Sequence, residues 1–211
     1  MPEYNSDTLN LDLLVGDPFE NYYNYFEMDY GYADTESTAF VQLFGGEANY
    51  DLGLTDKATV SAVSSAGWGS WRGVAKVGKQ FSVTGTEAKE VNMEYRGRAK
   101  GHLTAFGNSS SSVNIQFILR NMDTGEDYEF EIFDKTASRI GWDYLNFSIN
   151  STESIYLRPE DTYLAVMRLE GTVQERGGGL AGSDWGPADG DDTDEDPVEQ
   201  GVRFEQLLVR P

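Results

Sequence analysis

From Glu47 onward apolar and polar residues alternate with a period of two, broken at short intervals by glycine, proline, asparagine and aspartate. That is the signature of short strands with one face buried. Val113-Asn114-Ile115-Gln116-Phe117-Ile118-Leu119 gives it most cleanly, with Val113, Ile115, Phe117 and Leu119 predicted to point inward. Asn121 to Glu126 then reads as a hairpin loop from which Tyr128, Phe130 and Ile132 return. Further strands are predicted at 49–54, 58–64, 74–83 (bent at Gly78), 145–149, 154–157, 162–172 and 202–209, with a tight turn at Arg158-Pro159-Glu160-Asp161. The stretch 89–106 reads as two strands broken at Gly97 and Gly101. About eight or nine short strands at regular spacing predict an all-β, two-sheet antiparallel sandwich, jelly-roll-like, over residues 46–211.

Two segments depart from this pattern. Residues 1–45 hold a short apolar run, Leu11 to Val15, and then an aromatic cluster. Phe19, Tyr22, Tyr23 and Phe26 sit at helical spacing, which predicts one or two helical turns after Asp17-Pro18. With Tyr25, Tyr30 and Tyr32 they predict an N-terminal arm that meets a neighbouring subunit, because tyrosine supplies rigid amphipathic contacts; the competing reading has these rings capping one end of the sandwich. The second departure is a long loop, 177–201, rich in glycine and acid. In it Asp189, Asp191, Asp192, Asp194 and Asp196 are candidate oxygen ligands for Ca²⁺ or Mg²⁺. The spacing is not that of an EF-hand, and a solvated acidic loop is the alternative.

Charge decides the setting. Sixteen basic residues face thirty-six acidic ones, a formal net charge of −20. Such a density repels itself at low salt, and molar salt shortens the Debye length to roughly 3 Å. The chain is therefore expected to be salt-adapted. No basic stretch predicts nucleic-acid binding, and no run reaches the ~18 apolar residues of a membrane span. Neither a basic and apolar leader nor a twin-arginine signal is seen, so synthesis in a cytoplasm without a signal peptide is expected.

Enzyme chemistry finds little support. Cysteine is absent and His102 is the one histidine, which excludes thiolate chemistry and a zinc site built from several His or Cys. No Gly-x-Ser-x-Gly elbow accompanies it. The aromatic residues offer more. Trp68, Trp71, Trp142 and Trp185 all fall at predicted turns or loops, and Trp68 and Trp71 flank a glycine turn that would present them to a sugar. Sequons occur at Asn108, Asn146 and Asn150.

The strand Ala58-Thr59-Val60-Ser61-Ala62-Val63-Ser64 leading to Gly67-Trp68-Gly69, the segment Gly101-His102-Leu103-Thr104-Ala105-Phe106-Gly107 with its serine run, and Tyr156 to Tyr163 together resemble the small β-sandwich proteins of haloarchaea and their viruses. The resemblance covers about Ala58 to Pro211. It implies a virion protein without catalytic residues: a capsid decoration, turret or spike subunit, or a small jelly-roll capsid protein, homo-oligomeric and in contact with other capsid proteins. The alternative is a carbohydrate-binding module for attachment to a glycosylated cell surface, using Trp68 and Trp71.

Overall fold

The structure is a computed structural model, and it describes residues 3–4, 9–12, 21–24, 28–38, 44–52, 57–65, 68–186 and 200–210. Among these the chain is all-β, with eleven strands and no helix, hence no helix long and apolar enough to cross a membrane. The strands are β1 (Glu3–Tyr4), β2 (Leu9–Asp12), β3 (Asn21–Asn24), β4 (Tyr30–Ser37), β5 (Phe44–Asp51), β6 (Lys57–Ser65), β7 (Trp68–Thr84), β8 (Lys89–Asn121), β9 (Asp127–Leu157), β10 (Thr162–Asp184) and β11 (Gly201–Arg210). Every pairing is antiparallel except β2 on β7.

Three long strands make the architecture. The second half of β8 and the first halves of β9 and β10 join β7 and β4 in one layer, in the order β4-β7-β10-β8-β9. Their other halves, with β5, β6 and β11, form the second layer. The additional β10–β8 pairing closes β10-β6-β11-β8 into a barrel-like ring. All three long strands break register at one level, β10 between Glu175 and Gly179, and β8 against β9 between Phe106 and Ser110. Bulges of this kind bend a strand and let it pass from one sheet to the next.

The core lies between the layers. Val113, Ile115, Phe117 and Leu119 are buried as their alternation predicts. Phe117 stacks on Tyr95 at 4.1 Å between ring centroids and meets Phe204 edge-on at 6.0 Å, linking the layers through β8 and β11. The hairpin after β8 is fastened by Asn121, whose Oδ1 accepts the Asp123 and Thr124 N–H groups at 2.9 and 3.0 Å. Its Nδ2 donates to Asp161 at 2.7 Å, which ties that hairpin to the 158–161 turn.

Several expectations are corrected. Residues 89–121 are one strand, because Gly97 and Gly101 serve close packing rather than a break. A Cβ on Gly97 would sit 2.2 Å from the Arg203 carbonyl oxygen, and one on Gly101 2.4 Å from the Trp185 ring. Gly78 likewise lies inside an unbroken β7, against the Ala165 carbonyl. No helical turn forms at Tyr22 and Tyr23: they belong to β3, paired to Leu208 and Leu207 of β11. Unpaired backbone on β11 outweighs the helical spacing of those rings. Strand β10 continues through the expected loop as far as Asp184, where β6 and β8 supply ladder partners on both sides.

Candidate functional site

The second layer presents an apolar outer face in a chain whose charge is −20. Cross-strand register assembles it row by row. Leu180, Phe106 and Ile140 are neighbours across β10, β8 and β9; Val63, Gly182, Thr104 and Trp142 form the next row; Asp184, His102 and Tyr144 the third. Ile140 is 84% exposed and Trp142 69%, with Val63, Tyr144, Leu180 and Phe106 also open to solvent. The alternation of β strands puts them on one side, while Leu103, Ala105, Ala181 and Ala62 of the same strands face the core. At the middle, Gly182 leaves a dip: a Cβ there would meet nothing closer than 3.7 Å.

A polar edge borders the patch. The His102 ring stacks on Trp142, with centroids 5.8 Å apart and planes 11° from parallel. His102 Nε2 lies 3.8 Å from Asp184 Oδ2. One flank of the patch is the outer edge of β9, which pairs with β8 and with no other strand among the described residues. An exposed apolar area of this kind on a monomer marks a contact site, and an open edge offers backbone donors and acceptors to a partner.

The first layer's outer face is polar. Glu170 receives two hydrogen bonds from Arg72, at 2.7 and 2.9 Å, and another from Arg168. A depression of about 210 Å³ beside them is lined by Tyr32, Asp34, Lys76 and the two arginines. Burial pushes the Glu170 carboxyl up, but the hydrogen bonds and charges of Arg72 and Arg168 together hold it below its ordinary value. A depressed folded value means that this group stabilises the fold above the usual carboxylate range and that the contribution fades as pH falls through the folded value. Glu170→Gln should therefore cost about 1–2 kcal/mol at neutral pH. In urea titrations at pH 7 and near pH 3 the gap between variant and parent should shrink at the acid end; a constant gap would show that the ion pairs contribute nothing.

The tryptophans divide evenly. Trp71 is buried (4% exposed), against the expectation that it faces a ligand, because it lies in phase with Gly73, Ala75 and Val77 on the inner side of β7. Trp185 is fully buried. Trp68, two ladder rungs beyond Ser70, is 62% exposed. Tyr30 is nearly buried against Leu164 and Val166, and the Tyr32 ring lies 5.3 Å from Lys76 Nζ, both on the chain's own first layer. Tyr22 and Tyr23 lie in β3, and Phe19, Tyr25, Phe26, Asp189, Asp191, Asp192, Asp194 and Asp196 lie outside the described residues. Among the described residues no group of three or more His, Asp or Glu could hold a metal ion. Sequence reasoning placed Trp142 in a loop, read Phe106 only as the end of a strand, and left Ile140 and Tyr144 unremarked. The available signal was a phase conflict: Ile140, Trp142 and Tyr144 occupy one phase of β9, while Leu145, Phe147 and Ile149 occupy the other. A strand apolar on both faces is covered on both, or has one face waiting for a partner.

No protein-family model matches the chain, and no curated protein does. Solved structures similar to it include the enzymatically active domain of tailspike protein 4 from bacteriophage CBA120, at 11% identity and a TM-score of 0.27 over 72% of this chain and 18% of that one. The chain thus spans under a fifth of the tailspike's length. TmCBM61 in complex with β-1,4-galactotriose matches at 8% identity and a TM-score of 0.24, covering 71% of this chain and 83% of that one. The family 11 carbohydrate-binding module of Clostridium thermocellum Lic26A-Cel5E matches at 9% and 0.23, covering 81% and 93%.

Proposed function

We propose that the protein is a non-enzymatic structural subunit of a haloarchaeal virus particle, working through protein–protein contacts with copies of itself and with other capsid proteins. The observation that carries the contact is the apolar face of Val63, Phe106, Ile140, Trp142, Tyr144 and Leu180 beside the open edge of β9. The occupant it fits best is a second copy of this chain. Charge gives the reason. The first part of β9 is acidic, with Asp127, Glu129, Glu131 and Asp134, whereas residues 136–152 carry only Arg139 and Asp143, which cancel. Two strongly acidic molecules meet with least repulsion where each is neutral, and that neutral window contains Ile140, Trp142 and Tyr144. A two-fold axis near it would pair the edges antiparallel and set the same patch on both partners. The acidic composition and the resemblance of Ala58 to Pro211 support the virion setting; a lone histidine without a supporting constellation supports a non-catalytic role.

The test is mass in solution in molar KCl. By light scattering or sedimentation the parent should exceed its 23.5 kDa monomer, and Ile140→Asp with Trp142→Glu should return it to the monomer with its β-sheet circular dichroism intact. A parent that is monomeric at high micromolar concentration, or a double variant that still assembles, sinks the self-contact. A second reading, attachment to carbohydrate, is favoured by one observation: Trp68 is exposed beside a polar pocket at the bend between the layers.

A further inference from the structure

The register breaks that bend β8, β9 and β10 also assemble a pocket of about 490 Å³. On β10 the break displaces Arg176, Gly177 and Gly178; on β8 it displaces Gly107, Asn108 and Ser109; on β9 it leaves Arg139 alone opposite them. Arg139 adopts φ 69°, and Gly107, Gly177 and Gly178 have φ 75°, 83° and 80°. Left-handed backbone is ordinary for glycine but costs a residue such as arginine about 1–2 kcal/mol. The fold therefore holds the Arg139 side chain at this spot against a local preference, and such strain clusters where a site is built. The surroundings are fixed. The Ser109 hydroxyl lies 2.7 Å from the carbonyls of Phe106 and Leu180, and Gly179 N–H donates to the buried Glu175 at 2.8 Å.

What lines the pocket is unusual for this chain. Arg72, Arg96, Arg98, Arg120, Arg158 and Arg168 each have a carboxylate partner, and Arg203 has a partner too. The side chains of Arg139 and Arg176 make neither an ion pair nor a hydrogen bond among the described residues, although the chain holds thirty-six acids. Both line the pocket, with Gln174, Asn108 and Ser110 supplying uncharged donors and acceptors. Trp68 pairs with Arg176 across the ladder, and its indole lies so close to Gly177 that a Cβ there would be 2.8 Å from the ring. Two free guanidinium forks suit an oxyanion, which arginine binds in planar, bidentate fashion. An exposed indole next to them suits the apolar face of a pyranose ring, and the amides and hydroxyl suit sugar hydroxyls.

We propose that this pocket binds an acidic sugar, its carboxylate or sulfate held between Arg139 and Arg176 and its ring laid against Trp68. The proposal rests on the carbohydrate reading and is independent of the contact at Trp142. To test it, the intact protein is titrated calorimetrically with an oligogalacturonate, a sulfated galactan oligosaccharide and neutral galacto-oligosaccharides of equal length, all at one fixed KCl concentration. The expected result is that an acidic oligosaccharide binds at least about tenfold more tightly than the neutral one. Arg139→Gln with Arg176→Gln should remove that preference, Trp68→Ala should weaken acidic binding about tenfold, and the melting curves should stay those of the parent. Preference for the uronate or for the sulfated chain identifies the anionic group and supports the proposal either way. Equal binding of neutral and acidic chains overturns it while leaving the carbohydrate reading standing; no binding of any oligosaccharide overturns both. Inorganic sulfate binding as tightly as the oligosaccharides overturns it as well, since the ring would then contribute nothing.

Discussion

Gly97→Val is expected to destabilise the protein by about 3 kcal/mol or more, the upper end of what overpacking costs. The obstacle is backbone: the added Cβ would lie 2.2 Å from the Arg203 carbonyl oxygen, and no rotamer change moves a carbonyl. Relief requires β8 and β11 to part, and that seam runs from Gly201↔Lys100 to Arg210↔Asn92. Phe204, which pairs with Gly97 and packs edge-on against Phe117, would move with it. Gly182→Ala serves as the control, because its nearest neighbours stand at 3.7 and 3.8 Å; it should stay within about 0.5 kcal/mol of the parent. Denaturant unfolding in constant KCl separates the two. Equal effects would show that close approach at Gly97 is not what keeps that position free of a side chain.

The second large effect is that of salt. Along the exposed start of β9, Asp127, Glu129 and Glu131 recur every second residue, a spacing of roughly 7 Å along an extended strand. A Debye length of about 10 Å at 0.1 M leaves such neighbours repelling one another, and about 3 Å at 1 M does not. With a net charge of −20 on the whole chain, transfer from molar to decimolar KCl should lower the melting temperature by ~10 °C or more, the equivalent of several kcal/mol for a chain of this size. A non-ionic osmolyte should fail to restore it. A melting temperature indifferent to KCl would remove the salt-adapted setting and the main support for a haloarchaeal origin.

How far the sequence could be read depended on what each residue type leaves open. Val113 to Leu119 were legible because period-two alternation has one solution when one face is buried. Gly97 and Gly101 were not, because glycine marks a break and a close approach with the same letter; only the Arg203 carbonyl and the Trp185 ring decide between them. Trp71 and Trp68 stand three residues apart, hence on opposite faces of one extended strand, and reading them as a turn lost that distinction. The face around Trp142 was hidden by its own completeness: a strand apolar in both phases resembles a buried one. The pocket at Arg139 and Arg176 depends on register breaks in three strands, which no local pattern announces. The aromatic segment 19–32 shows another limit, since helical spacing of rings said nothing of the β11 edge waiting for β3.

Because β8, β9 and β10 each run through both layers, neither layer owns a complete set of strands. The start of β8 must find β11, Lys100 opposite Gly201, before the ring can close, and β10 must reach β6 as well as β7. Pairings so remote along the chain are slow to find, because the entropy of closing the intervening loops is lost before any contact compensates it. Half-formed layers would meanwhile expose long hydrophobic edges. The shared strands thus make the folded molecule a single cooperative unit, and they place its greatest vulnerability in the interval between synthesis and closure of the ring.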